Sequence, residues 1–242
     1  MKTRKLMLSI LLLGATMGVA QAQTESGKVL LNSTINYSRF NNESNTTGSV
    51  AYPTNVDNDY SGFNFNFSPK VGLFVADNLA VGLDLGGGTG SRQDNRTEYN
   101  NTDNTFLSYN IKQTSRQINL GPFVRYYKML GEKAGLYGQL TGGYLRRLEK
   151  QRSEYVGNPS NDYSNETETR GGYASFSPGF VYFPSKKFGI DLAMGGFTYN
   201  KSKSETHYDS AGQGSSTNTG SSLAANFGIQ YVSVGASLYL GN

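Results

Sequence analysis

Cysteine is absent from the 242 residues, which excludes a disulfide framework, a thiolate metal site and the lipid-anchored amino terminus of a bacterial lipoprotein. Histidine is nearly absent as well. The single His207 has Ser204, Glu205 and Asp209 nearby, but a catalytic triad is a geometric arrangement that adjacency in a polar stretch does not build. The acidic pairs Asp57/Asp59 and Asp94/Glu98 lack calcium-loop spacing. Gly86-Gly-Gly-Thr-Gly90 is followed by neither a helical pattern nor the Lys-Ser or Lys-Thr that ends a phosphate loop. The expectation is therefore a protein with no catalytic residues, no cofactor and no metal. Lys and Arg are interspersed with Asp and Glu, so no basic element marks a nucleic-acid partner.

Long apolar runs are missing too, except at the start. Lys2, Arg4 and Lys5 precede an apolar run from Leu6 to Val19 and the small-residue pattern Ala20-Gln21-Ala22, the three parts of a secretory signal in order. The run is too short for a hydrocarbon core of about 30 Å. Residues 1–22 are read as a signal peptide cleaved after Ala22, leaving 23–242 as one domain. Cleavage removes three basic residues and takes the formal net charge from +4 to +1. Hydrophobic residues make up only 36% of the chain, so the apolar material comes in stripes.

Those stripes have a period of two, the signature of strands with one greasy and one wet face. The clearest runs from Phe63 through Phe65, Phe67, Val71 and Leu73 to Val75, with Asn64, Asn66, Ser68, Lys70 and Gly72 between. The same alternation recurs at 31–37, 79–86, 118–126, 136–144 and 188–194, and two further strands are read at 172–183 and 222–240. In the last, the apolar parity switches near Tyr231, which predicts a bulge there. A repeat supports the hairpins. Ser68-Pro69 and Ser177-Pro178 each lead through an aromatic and a turn to a glycine seventeen residues after the proline, and Gly121-Pro122 opens a longer third copy. Pro69, Pro122 and Pro178 sit mid-strand and suggest a shared bulge.

Connections alternate between short turns at 76–78, 128–134 and 184–187 and long polar loops at 39–59, 92–105, 150–169 and 201–220. A spanning sheet must close on itself, and short periplasmic turns with long external loops are the pattern of outer-membrane barrels. The fold class read from the chain is all-β: an eight-stranded antiparallel up-and-down transmembrane β-barrel, filled by small inward residues such as Gly72, Gly82, Gly86, Gly121 and Gly143. Lys70, Asp84, Arg125 and Asp191 share the inward parity and are expected to pair as an interior charge network. Phe74, Tyr126, Tyr127, Tyr182 and Phe183 stand just before short turns and read as a periplasmic aromatic girdle. Tyr37, Phe40, Tyr60, Tyr144 and Tyr199 read as its outer counterpart.

The segment Asn64-Phe-Asn-Phe-Ser-Pro-Lys-Val-Gly-Leu-Phe-Val-Ala-Asp-Asn-Leu-Ala-Val-Gly-Leu-Asp-Leu-Gly86, echoed at 176–195, resembles the signature hairpin of the small outer-membrane β-barrel family, the porin-family proteins of OmpX and OmpA-barrel type. The resemblance implies the bacterial outer membrane, no shared catalytic residues, and delivery by the barrel-assembly machinery. The ending Tyr239-Leu-Gly-Asn242 departs from that family's terminal aromatic. The partners expected are outer-membrane lipid and a surface partner met through the external loops, with the barrel a monomer. Two alternatives remain open: a narrow porin-like channel for small solutes or ions, and a soluble lipocalin-like carrier with its apolar face inward.

Overall fold

A computed structural model describes residues 23–47, 55–100, 105–156, 162–209 and 214–241. The signal segment 1–22 lies outside the described residues, as do the tips of the four outer hairpins. The strands are β1 Val29–Thr47, β2 Asn55–Ala76, β3 Leu79–Asn100, β4 Thr105–Met129, β5 Ala134–Val156, β6 Tyr163–Ser185, β7 Phe188–Met194, β8 Gly196–Asp209, β9 Gly214–Asn226 and β10 Val232–Leu240. All pair antiparallel. Sequence neighbours pair from β1 to β6, β6 pairs with both β7 and β8, β8 with β9, β7 with β10, and β10 returns to β1. Since β7 and β8 are two halves of one stave, and β9 and β10 two halves of the next, the ring has eight staves. It closes through Val29↔Leu240 to Ile35↔Val234, in the half nearest the short turns.

The interruptions have local causes. At Pro69 and Pro122 the ladder skips residues without changing register: Lys70↔Asp84 and Phe67↔Gly87 are in step, as are Leu120↔Tyr144 and Phe123↔Thr141. The missing proline N–H opens a gap there, and the bulge expected at these two sites is not formed. Opposite Pro178 the register does slip by one, between Gly179↔Ala193 and Phe176↔Phe197. The extra residue is Gly195, at φ 77°, a left-handed backbone that glycine adopts without penalty. The irregularity near Tyr231 is a single 3-10 turn, Ile229–Tyr231, between β9 and β10.

The strands run much farther than their apolar stripes. The segments 39–59, 92–105, 150–169 and 201–220, expected as loops, are mostly ladder, paired out to Thr47↔Asn55, Asn100↔Thr105, Ser153↔Tyr163 and Tyr208↔Gly214. Backbone hydrogen bonds form whichever side chains flank them. Where both faces meet water, both parities carry Asn, Ser, Thr and Glu, and the period-two apolar signal vanishes although the strand continues.

At the other end the staves are tied by tight turns and by the segment Gln23–Gly27. Asn78, at φ 67° in a conformation asparagine tolerates, donates its backbone N–H to the Thr24 carbonyl at 2.7 Å. The Thr24 hydroxyl donates to Asn78 Oδ1 at 2.6 Å, and the Gly27 N–H donates to the Phe74 carbonyl at 2.8 Å. Thr24 is completely buried. Replacing it with valine keeps its shape and removes one hydrogen bond, so Thr24→Val is expected to cost about 0.5–1.5 kcal/mol in a urea unfolding titration. An unchanged midpoint would show that this hydroxyl bond contributes no stability.

Candidate functional site

Because side chains alternate across each strand, one parity of every stave lines the lumen. Nearest the short turns the lumen is filled by Leu30, Phe74, Ala80, Phe123, Tyr127, Met129, Tyr137, Val181, Phe183 and Tyr239, all buried. The rings stack obliquely, with Phe183 and Tyr239 centroids 5.2 Å apart and Phe74 and Tyr127 5.7 Å apart. Three of the five residues expected in a lipid-facing inner girdle are therefore inside. Phe74, Tyr127 and Phe183 are 0–1% exposed, while Tyr126 and Tyr182 do face outward at 58% and 44%. The doublets Tyr126-Tyr127 and Tyr182-Phe183 occupy both parities, so each sends one ring to each side. Of the outer set, Tyr37, Tyr144 and Tyr199 face out, whereas Phe40 and Tyr60 meet each other at 5.9 Å on the inward parity.

Above the aromatic layer lies a buried polar one. Arg125 donates from Nε to Gln139 Oε1 at 2.8 Å, from Nη1 to Tyr127 Oη at 3.1 Å and Asp191 Oδ1 at 3.0 Å, and from Nη2 to Asn32 Oδ1 at 3.2 Å. Its guanidinium carbon sits 4.4 Å from the centre of the Tyr137 ring. The other Asp191 oxygen accepts from Asn32 Nδ2 at 3.3 Å and from the Ser237 hydroxyl. Gln139 passes the chain on to Thr141 at 2.9 Å. Lys70 Nζ and Asp84 Oδ2 form a second buried pair at 3.4 Å.

The four charged residues singled out by parity thus lie inside as two separate ion pairs. Sequence reading missed their neutral partners Asn32, Gln139, Thr141 and Ser237. Those share the inward parity, but no rule distinguishes a polar partner from a polar filler until the register is known.

The layer borders a cavity of about 250 Å³ whose lining includes Lys70, Asp84, Asn119, Arg125, Gln139, Thr141 and Tyr173. Farther out is a space of about 370 Å³ between Asn64, Asn66, Ser115, Gln117, Arg147 and Glu149. The lumen is wet toward the long hairpins and sealed toward the short turns.

The outer wall is the reverse. Phe65, Val71, Leu83 and Ile190, which a ligand-carrying barrel would turn inward, are 38–54% exposed on the outside. The carrier alternative is thereby corrected. Cross-strand register orders the wall into rows: Val124, Leu140, Phe176 and Phe197; then Gly142, Ala174 and Tyr199; then Leu120, Tyr144, Gly172 and Lys201.

The chain is an eight-stranded β-barrel turned inside out. Among solved structures it is similar to the outer membrane protein OprG from Pseudomonas aeruginosa, at 13% identity over 91% of this chain and 99% of that one, TM-score 0.42. It is also similar to Ail, the attachment invasion locus protein of Yersinia pestis, at 15% identity over 89% and 99%, TM-score 0.28. A third is the outer membrane protease OmpT from Escherichia coli, at 9% identity over 90% and 96%, TM-score 0.40. No protein-family model matches the chain, and no curated protein does.

The residue types around His207 do not converge on it. His207 lies opposite Glu166 and Ser215 in register, Ser204 hydrogen-bonds Thr169 at 2.8 Å on the other face of β8, and Glu205 pairs with Lys203 at 2.6 Å. Among the described residues no group of three potential metal ligands comes together.

Proposed function

We propose that this protein resides in the bacterial outer membrane as a monomeric, side-chain-filled barrel and acts as a surface scaffold, holding its long outer hairpins for a partner outside the cell. The supporting observation is the inverted wall. A continuous belt of exposed Leu, Val, Ile and Phe around a polar, internally hydrogen-bonded lumen suits lipid and is costly in water. Leu136 and Tyr144 mark the belt on β5. Eight residues at about 3.3 Å each, tilted by roughly 40°, rise about 20 Å, close to the roughly 25 Å apolar band of outer-membrane barrels. The reading gives His207 no catalytic part. The hairpin arms then stand in water beyond the belt, where exposed segments carried by a rigid scaffold commonly meet partners.

Shortening the arms tests the scaffold role. Removing residues 43–59 and 152–164 joins the register partners Asn42↔Tyr60 and Gln151↔Asn165. The shortened barrel is expected to keep its heat-modifiable gel migration while cells lose surface attachment or partner binding; attachment equal to wild type would overturn the scaffold reading. The wet outer cavities favour the channel as the second reading. It requires the Phe74, Tyr127, Phe183 and Tyr239 layer to open, and stepwise conductance in planar-bilayer recordings would establish it in place of the scaffold.

A further inference from the structure

The wall changes character abruptly one row beyond Tyr144. Arg146 of β5, Arg170 of β6 and Lys203 of β8 are direct register partners, Arg146↔Arg170 and Arg170↔Lys203. All three are on the outward parity, with side chains 50–58% exposed. Like charges directly opposite one another weaken a sheet, and here three stand abreast. Arg116 follows one row outward, opposite Leu148, and Lys201 lies one row inward, opposite Gly172.

Two carboxylates sit in the next row. Glu168 accepts hydrogen bonds from both Arg146 and Arg170 and so is held down to about pKa 2, fully ionised. Glu205 pairs with Lys203. Two acids against five cations leave the strip positive, and the acids are themselves set opposite each other, Glu168↔Glu205. The sheet tolerates repulsion twice over in a single small area.

We infer that Arg146, Arg170 and Lys203, flanked by Arg116 and Lys201, form a binding strip for phosphorylated lipid headgroups at the outer boundary of the bilayer. This rests on the reading of the wall as lipid-facing. Position selects the occupant. The strip is continuous with the apolar belt through Leu120, Tyr144 and Ile118, so a lipid whose chains lie on that belt brings its phosphate to the guanidinium row. Arginine forks match phosphate oxygens bidentately, and an exposed cation row at the edge of lipid gains from anionic headgroups.

The test uses the purified full barrel in phosphatidylcholine nanodiscs doped with either phosphorylated lipid A or its dephosphorylated form, with native mass spectrometry counting the lipid retained. Wild type is expected to retain the phosphorylated form preferentially. The triple variant Arg146→Gln/Arg170→Gln/Lys203→Gln should lose that preference by about ten-fold, roughly the effect of one good charge-assisted contact. The Glu168→Gln/Glu205→Gln variant should move the other way and retain more; it provides the reading if the triple variant fails to fold. Equal retention of the two lipids by wild type, or retention unaltered in both variants, overturns the inference. Complete displacement by inorganic phosphate would reassign the strip to soluble anions. A wild-type barrel that fails to enter the nanodiscs at all would instead overturn the membrane reading, and this strip with it.

Discussion

An Asp191→Ala barrel is expected to unfold about 3–5 kcal/mol more easily than wild type, the cost of leaving one partner of a buried ion pair behind. Asp191 and Arg125 are each no more than 3% exposed at the side chain and meet at 3.0 Å. An arginine does not shed its proton in a protein, so the remaining guanidinium would stay charged and buried, with only the neutral Gln139, Tyr127 and Asn32 left as its hydrogen-bond partners. Ser237 would lose its carboxylate acceptor at the same time, and Asn32 one of its three acceptors. The matching double variant, Arg125→Met with Asp191→Ala, removes both charges and should recover much of the loss, because the pair's net worth is far smaller than the penalty for breaking it. Urea titration of barrels refolded into vesicles measures both. With no tryptophan in the chain, far-UV circular dichroism or the shift of the folded band on a gel must serve as the probe. A double variant as unstable as Asp191→Ala would show that the site is held by shape and packing, with charge incidental.

What could be read in advance, and what could not, follows from where the two faces of a strand differ. Within the belt one face meets apolar surroundings and the other the polar lumen, so Phe63 to Leu73 and Val81 to Leu85 alternate cleanly, and Lys70, Asp84, Arg125 and Asp191 fall on the inward parity. Parity also exposed the break near Tyr231, because a strand that changes face must carry an irregularity. The aromatic layer defeated the same logic. Close to the short turns both the lumen and the wall are apolar, so Phe74 between Leu73 and Val75, or Phe183 beside Tyr182, has no polar neighbour to reveal which way it points. The outer hairpins failed for the opposite reason, since both of their faces are wet. The strap at Gln23–Gly27 has no periodicity at all; its fit depends on Asn78 and Phe74, more than fifty and about fifty residues away respectively in the chain.

The largest effect on the wall itself is expected from Leu140→Arg. Leu140 lies two rows from Leu136 and two from Tyr144, at the middle of the belt, and is 57% exposed. In a water-soluble barrel an arginine at so open a position changes stability by no more than about 0.5 kcal/mol. In lipid, the charge must stay near the midplane or drag water and headgroups inward, and the cost for outer-membrane barrels is about 2–4 kcal/mol. The penalty is depth-dependent, so Tyr144→Arg, beside the boundary where the cations begin, should cost only about 0–1 kcal/mol. The pair is more diagnostic than either substitution alone. Damage to strand propensity or packing would fall on both positions alike, whereas a bilayer penalises the middle and spares the edge. Urea unfolding from vesicles of defined thickness reads the difference, and near-equal values for the two variants, or a Leu140→Arg barrel as stable as wild type, would mean that this wall does not face lipid.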